Sequence, residues 1–344
     1  MNVLGGRPTL EEVAAHAGVG RGTASRVING SPQVSERTRE AVLRAVEELG
    51  YVPNQAARSL VTRRTGTVAL VIAESDERIF GEPFFAGVVR GISSTLNDAQ
   101  RQLVLSLVQS SDQAIRLGAY LNSQHVDGVL LLSVHDDGAY SLDLGSRGVP
   151  MVLGGRSALW SDASFVDVDN RDGARQAVRH LVATGRRTIA TITGPQAMAS
   201  GRDRLDGYTA AIVESGLALD TSLVVEGDFS EVSGWAAMED LLDRHPDVDG
   251  VFAASDLMAM GALRSLRARG RRVPHDVGVV GFDGTPASET TDPPLTTVHQ
   301  PLTRLGQEMA AMLLRQIDAD EPTKEHLVLP VDLLVRGSTV PAER

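Results

Sequence analysis

The sequence contains no cysteine, which excludes disulfides and every cysteine-ligated metal site. Its only lysine is Lys324, so arginine carries almost all of the positive charge. This reads as codon bias, although a guanidinium also suits bidentate contacts better than an ammonium does. No run of about 18 apolar residues occurs, so nothing is expected to span a bilayer. The opening Met1-Asn2-Val3-Leu4-Gly5-Gly6-Arg7 has no apolar signal-peptide core, which makes the cytoplasm the expected compartment. The eight histidines lack metal-ligand spacing, and neither a P-loop nor a Gly-x-Ser-x-Gly elbow is present. No cofactor and no catalytic constellation are expected.

What remains is an ordinary globular composition, 42% hydrophobic and 22% charged over 344 residues, with length for two or three domains. The charge is unevenly spread. Residues 1–64 hold nine arginines against six glutamates, a net of +3, which leaves −14 for the rest of a chain whose total is −11. A small basic head on a large acidic body is the distribution expected when only the head meets a polyanion.

The head reads as short helices. Thr9 and Glu12 have capping-box spacing for a helix reaching about His16, with Val13 and Ala14 inward. Ala17-Gly18-Val19-Gly20 is a turn. A second helix covers about Arg21 to Asn29. Ser35 caps a third, Glu36 to Leu49, whose apolar positions share a face, and Gly50 stops it. From Thr67 the texture becomes an alternation of strands and helices. Strand-like runs are Val68–Ala73, Leu103–Val108, Val126–Val134, Val149–Leu153, Thr188–Thr193, Val248–Ala254 and Val277–Phe282. Such alternation predicts βαβ units with parallel sheets, and its extent predicts two α/β lobes. The expected division is a head at 1–53, a hinge helix and linker at 54–66, and a body at 67–344. Within the body, the first lobe is expected at 67–163 plus 292–322 and the second at 164–291 plus 323–344. Ligands bind at the carboxyl ends of such strands, so the cleft between lobes is the expected site.

Two short helices joined by a tight turn fit a helix-turn-helix, whose second helix enters the major groove by its N-terminal residues. Those residues here are Arg21, Gly22 and Thr23, followed by Ser25, Arg26 and Asn29. Arg21 and Arg26 have the fork geometry for guanine O6 and N7. Thr23, Ser25 and Asn29 suit phosphate or capping bonds.

The head closely resembles the lactose-repressor family. The matching residues are Pro8 to Ala14, Ala17-Gly18-Val19, Thr23 to Gly30, Val34-Ser35, Leu49-Gly50-Tyr51 and Ala57-Arg58-Ser59-Leu60. The body continues the match at Asp127-Gly128-Val129-Leu130, Asp167 to Gly173, Arg204 to Tyr208, Val280 to Asp283 and Pro294 to Val298. The resemblance implies a helix-turn-helix head on a two-lobed body like the periplasmic binding proteins. It implies a homodimeric transcriptional regulator, most often a repressor, acting on a pseudo-palindromic operator. It further implies that Leu60 wedges into the minor groove and kinks the duplex, with small Ala56 and Ala57 letting two hinge helices approach. Val61 departs from the often basic residue after the wedge. Gly22 departs from a side chain in many relatives, which leaves base reading to Arg21 and Arg26.

In the body the resemblance places Arg204 and Asp283 on the effector, with Ser255 where relatives carry an amide. An arginine and a carboxylate beside an aromatic wall suit a polyhydroxylated molecule, a carbohydrate. Phe84, Phe85 and Phe229 are the candidate wall residues, with Trp160 behind them; Phe84 is preferred, and Phe85 also reads as core. Asp256, Asp169 and Asn170 read equally well as helix caps. Only seven residues follow Gly337, too few for a leucine-heptad tail, so a dimer is expected. Two other readings stay open: a sugar-binding protein without DNA function, and an α/β enzyme using the cleft carboxylates. Arg21→Ala is expected to relax specificity at one position per half-site and to cost about 1–3 kcal/mol in operator binding. Equal loss on every duplex in a shift assay would instead assign Arg21 to phosphate.

Overall fold

The computed structural model describes residues 8–31, 33–52, 64–123, 125–138, 149–321 and 323–339. The chain divides between Thr65 and Gly66 into two compact units. The expected hinge helix, with Ala56, Ala57 and Leu60, lies outside the described residues.

The described residues of the first unit form three helices, α1 (Leu10–His16), α2 (Arg21–Ile28) and α3 (Glu36–Leu49). The capping box forms as expected. Thr9 Oγ1 accepts from the Glu12 amide at 3.3 Å, and Glu12 Oε2 accepts from the Thr9 amide at 2.8 Å. Ser35 caps α3, and Gly50 takes the left-handed conformation that ends it. Val13, Ala14, Ala24, Val27, Val42 and Ala45 form the core.

The second unit begins with β1 (Thr67–Ile72), α4 (Asp76–Gly81), α5 (Pro83–Asp98), β2 (Gln102–Leu107), α6 (Ser111–Leu121), β3 (Gly128–Leu132), β4 (Met151–Gly154) and β5 (Ser164–Val168). There follow α7 (Asn170–Ala183), β6 (Ile189–Thr193), α8 (Ala199–Glu214), β7 (Val224–Glu226), α9 (Glu231–Arg244), β8 (Gly250–Ala253), α10 (Asp256–Ala268) and β9 (Gly278–Asp283). The last elements are α11 (Pro286–Glu289), β10 (Thr296–His299), α12 (Leu302–Asp318), β11 (His326–Leu329) and β12 (Asp332–Leu334). One six-stranded sheet has the order β11-β5-β4-β3-β1-β2, the other β12-β10-β9-β8-β6-β7. Every pairing is parallel except β10 with β12.

The expected lobe boundaries require correction. β5 and β11 belong to the first sheet and β10 to the second. The chain therefore crosses between lobes after β5, after β10 and after β11, rather than near 163, 292 and 322. No glycine- or proline-rich linker marks the first crossing, because Asp169 caps α7 directly after Val168 ends β5. The strands that pattern reading passed over, β5, β7, β10, β11 and β12, are short, and β10 carries the fully buried Thr296 and Thr297 in place of an apolar run.

α12 crosses the face of the first sheet and meets α5 backbone to backbone. A Cβ on Gly91 would lie 2.0 Å from the Thr303 carbonyl oxygen, and one on Gly306 would lie 2.1 Å from that of Val88. Gly91→Ala is therefore expected to destabilise the body by about 1–3 kcal/mol through overpacking, measured as a lower urea midpoint with an unchanged slope. An unchanged midpoint would show that the two helices separate freely.

Candidate functional site

In the head, the fold buries Ala24 and Val27 and so turns Arg21, Gly22, Arg26 and Asn29 outward. Thr23 and Ser25 are half-buried. Arg21 Nε meets Glu11 Oε1 at 2.9 Å, both side chains being exposed. Such a surface pair is worth at most about 1 kcal/mol, so Arg21 is readily released to another partner. Asn29 Nδ2 donates to Ser25 Oγ at 3.3 Å. Both forks thus face outward from the second helix of a helix-turn-helix.

In the body, a cavity of about 860 Å³, partly open to solvent, lies between the lobes. Phe84, Arg204, Phe229, Ser255 and Asp283 all line it, so the five residues marked in the sequence converge. Arg204 comes from α8 and is almost fully buried. Its Nε donates to Asn170 Oδ1 at 2.9 Å, Nη1 donates to the Ala254 carbonyl, and Nη1 lies 3.9 Å from Asp283 Oδ1. Its guanidinium carbon stacks 3.7 Å from the Phe282 ring centroid and 5.6 Å from that of Phe229. Asp283 ends β9 with φ +119°, a conformation that costs a non-glycine residue about 1–3 kcal/mol and marks sites held by their surroundings. Gln300 Nε2 donates to Asp283 Oδ1 at 2.6 Å. Burial, opposed by Arg204 and reinforced by the charges of Asp256 and Glu82, pushes the Asp283 carboxyl up to about 8.

Asn170 stands at the first crossing and Gln300 at the second. Asn170 Nδ2 also donates to Asp167 Oδ1 at 3.0 Å, and Asp167 Oδ2 accepts from Arg156 Nε at 2.9 Å. Arg156 reaches on to Asp203 of the opposite lobe. An unbroken polar chain thus joins Asp203, Arg156, Asp167, Asn170, Arg204, Asp283 and Gln300. A second bridge closes the rim, with Arg202 Nη2 at 2.5 Å from Asp136 Oδ2 and the Asp136 amide donating to the Ala197 carbonyl at 2.8 Å.

Phe229 sits at φ +71° with its ring over Gly194, where a Cβ would meet it at 2.2 Å. Ser255 holds it there by donating from Oγ to the Phe229 carbonyl at 3.1 Å, while the same oxygen accepts from the Met258 amide at 3.1 Å. Ser255, not Asp256, is therefore the cap of α10. Asp256 is fully buried on Thr285 and Thr297, away from the cavity lining. Asp169 does cap α7, while Asn170 serves Arg204. Phe85 packs in the core edge-on to Phe84, and Trp160 packs elsewhere in the first lobe.

Sequence reasoning passed over the first-lobe wall. There Arg78 Nε lies 2.7 Å from Glu82 Oε1 and Nη1 2.5 Å from Glu74 Oε1. Glu74 also accepts from Ser133 at 2.6 Å and pairs with His135 Nε2 at 2.9 Å. Spacing of four residues looks in sequence like a solvated helix pair, and only its place after the carboxyl end of β1 hinted otherwise.

A model of bacterial regulatory proteins of the lacI family matches residues 9–54, and one of periplasmic binding protein-like domains matches residues 178–339. The chain is 55% identical over 334 residues to the HTH-type transcriptional regulator CelR of Thermobifida fusca, covering 96% of this chain and 98% of that one. It is 31% identical over 332 residues to the transcriptional repressor CytR of Escherichia coli (strain K12), covering 96% of each. Among solved structures, a CelR–cellobiose complex superposes with a TM-score of 0.77 at 53% identity, over 96% of this chain and all of that one. The lac repressor dimer bound to operator and the anti-inducer ONPF superposes with a TM-score of 0.85 at 29% identity, over 97% of this chain and all of that one. With the outward arginine forks of its head and the two-lobed cleft of its body, the chain belongs to the lacI family and is a DNA-binding transcriptional regulator.

Proposed function

We propose that this regulator acts as a homodimeric repressor on a pseudo-palindromic operator and is controlled by an uncharged disaccharide of glucose bound between its lobes. One observation carries the choice of an uncharged effector. Each of the three arginines lining the cavity is already paired with carboxylates: Arg78 with Glu74 and Glu82, Arg156 with Asp167 and Asp203, Arg204 with Asp283. A phosphate or sugar acid would meet a cleft in which carboxyl groups accompany every arginine, and its own desolvation would go uncompensated. Hydroxyls fit, since each pair leaves both donors and acceptors on offer. The solved CelR complex holds cellobiose, a disaccharide of this class, in a chain 53% identical to this one.

Arg204 and Asp283 take hydroxyls on the second-lobe side, and Phe84 and Phe229 form the apolar wall. Ser255 has one acceptor position left and acts mainly by holding Phe229. Because Asn170 and Gln300 tie this pair to two crossings, an effector that rearranges it also biases the angle between lobes. Arg21 and Arg26 read bases, with Gly22, Thr23, Ser25 and Asn29 at the backbone, and residues 54–60 with Ala56, Ala57 and Leu60 enter the minor groove. By linkage, effector and operator alter each other's affinity by one factor.

The test uses an operator selected from a random duplex library. Cellobiose is expected to change operator affinity by at least about fivefold, and a phosphorylated disaccharide to leave it unchanged. No effect of any uncharged disaccharide would overturn the proposal. Arg204→Ala is expected to abolish cellobiose binding in calorimetry while the head still shifts the operator. A hydroxyl donates best to an ionised carboxylate, so cellobiose affinity is expected to rise as pH rises through about 8, where Asp283 loses its proton. The step should vanish in Asp283→Asn; a flat profile in the unmodified protein would remove Asp283 from the site.

A further inference from the structure

Burial alone does not explain the first-lobe cluster of Glu74, Arg78 and Glu82. Against burial, the hydrogen bond from His135 and the charge of Arg78 hold the Glu74 carboxyl below its usual range. Glu82 behaves differently. Burial pushes its carboxyl up, and the hydrogen bond and charge of Arg78 do not offset this. Two buried carboxylates thus share one guanidinium, and Glu82, which takes its two-point hydrogen bond, sits in a nearly enclosed position, its side chain 10% exposed. A buried carboxylate in excess of its partners is costly, and it persists where something else completes its hydrogen bonding.

Both side chains line the cavity. Arg78 gives Nε and Nη2 to Glu82, at 2.7 and 3.3 Å, and turns Nη1 to Glu74. A guanidinium has five N–H groups and a carboxylate about four lone-pair sites, so each keeps bonding capacity after this pairing. The two form a planar edge that offers a donor beside an acceptor. A vicinal diol is the complement of that edge, since one hydroxyl donates to the carboxylate and its neighbour accepts from the guanidinium. The Arg78 guanidinium carbon lies 5.5 Å from the centroid of the same Phe229 ring that Arg204 approaches to 5.6 Å. Glu82 also helps to push Asp283 up, so the two carboxylates sense each other across the cleft. The cavity has a polar station on each lobe and an aromatic ring serving both.

We propose that Arg78 and Glu82 are specificity-determining residues that read a vicinal diol on the effector ring remote from Arg204, so that the site prefers a disaccharide over a single pyranose. This inference rests on the proposed carbohydrate effector. The monosaccharide reaches one station only, and the disaccharide engages both.

The test is calorimetry of the full chain with cellobiose and with glucose, the weaker ligand being measured by competition. Glu82→Gln is expected to lower cellobiose affinity by at least about tenfold, the scale of a hydrogen bond to a charged group, and to leave glucose affinity unchanged. The ligand-free variant should melt no lower than the unmodified protein, because the surplus charge is gone. Glu82→Asp keeps the charge but withdraws it from the diol, and is expected to show the same selective loss. Unchanged cellobiose binding in both variants, or equal loss for the two sugars with a lowered melting temperature, would overturn the inference and leave the carbohydrate reading intact. Binding of neither sugar to the unmodified protein would overturn both.

Discussion

A guanidinium cannot be taken out of water without partners for its N–H groups and its charge, and the body of this protein is arranged around meeting that demand for Arg204. Burial drags its protonation constant down, and the carboxylates of Asp283, Asp167, Asp203 and Asp256 act in the opposite sense. Its hydrogen-bond partners come from structurally separate places: Asn170 at the start of α7 and the Ala254 carbonyl past the end of β8. Asp283, its nearest carboxylate, is itself held by Gln300 beyond β10. Satisfying one side chain thus fixes the first two crossings between lobes relative to the cleft floor.

The consequence is mechanical. Asn170 and Gln300 bond directly to Arg204 and Asp283, so any displacement of either side chain is felt at both crossings. The rim bridges, Arg156 to Asp203 and Arg202 to Asp136, are more exposed than the floor and correspondingly weaker. The strained backbone at Phe229 and Asp283 lies on the cavity wall, as expected when surrounding structure over-determines a site.

The head obeys a simpler constraint. Six small or β-branched residues form the buried centre of its core, so little surface is buried and Arg21, Arg26, Arg37 and Arg44 are left outside. The arginines of α2 stay on its surface, Arg21 paired with Glu11, and the caps of α1 and α3 are a large share of what holds the head together.

The sequence alone determined whatever depends on local periodicity and local bonding. The capping box at Thr9, the Ser35 cap, the Gly50 stop, the apolar strands β1 to β4, β6, β8 and β9, and the helices between them follow from residues within one turn or one strand of each other. Arg204, Asp283, Phe84 and Phe229 were legible as site residues through family resemblance and strand-end position. Only the tertiary structure decided which sheet β5, β10 and β11 join, because short strands bearing Asp167 or buried threonines look the same whichever lobe accepts them. It alone decided that Asn170 serves Arg204, that Ser255 rather than Asp256 caps α10, and that Arg78 and Glu82 face a cavity instead of solvent. Asn170 to Arg204, Asp256 to Thr285 and Arg78 to Phe229 are contacts between residues 29 or more apart in the chain, and a contact across such a distance leaves no trace in local pattern until the fold brings its two ends together.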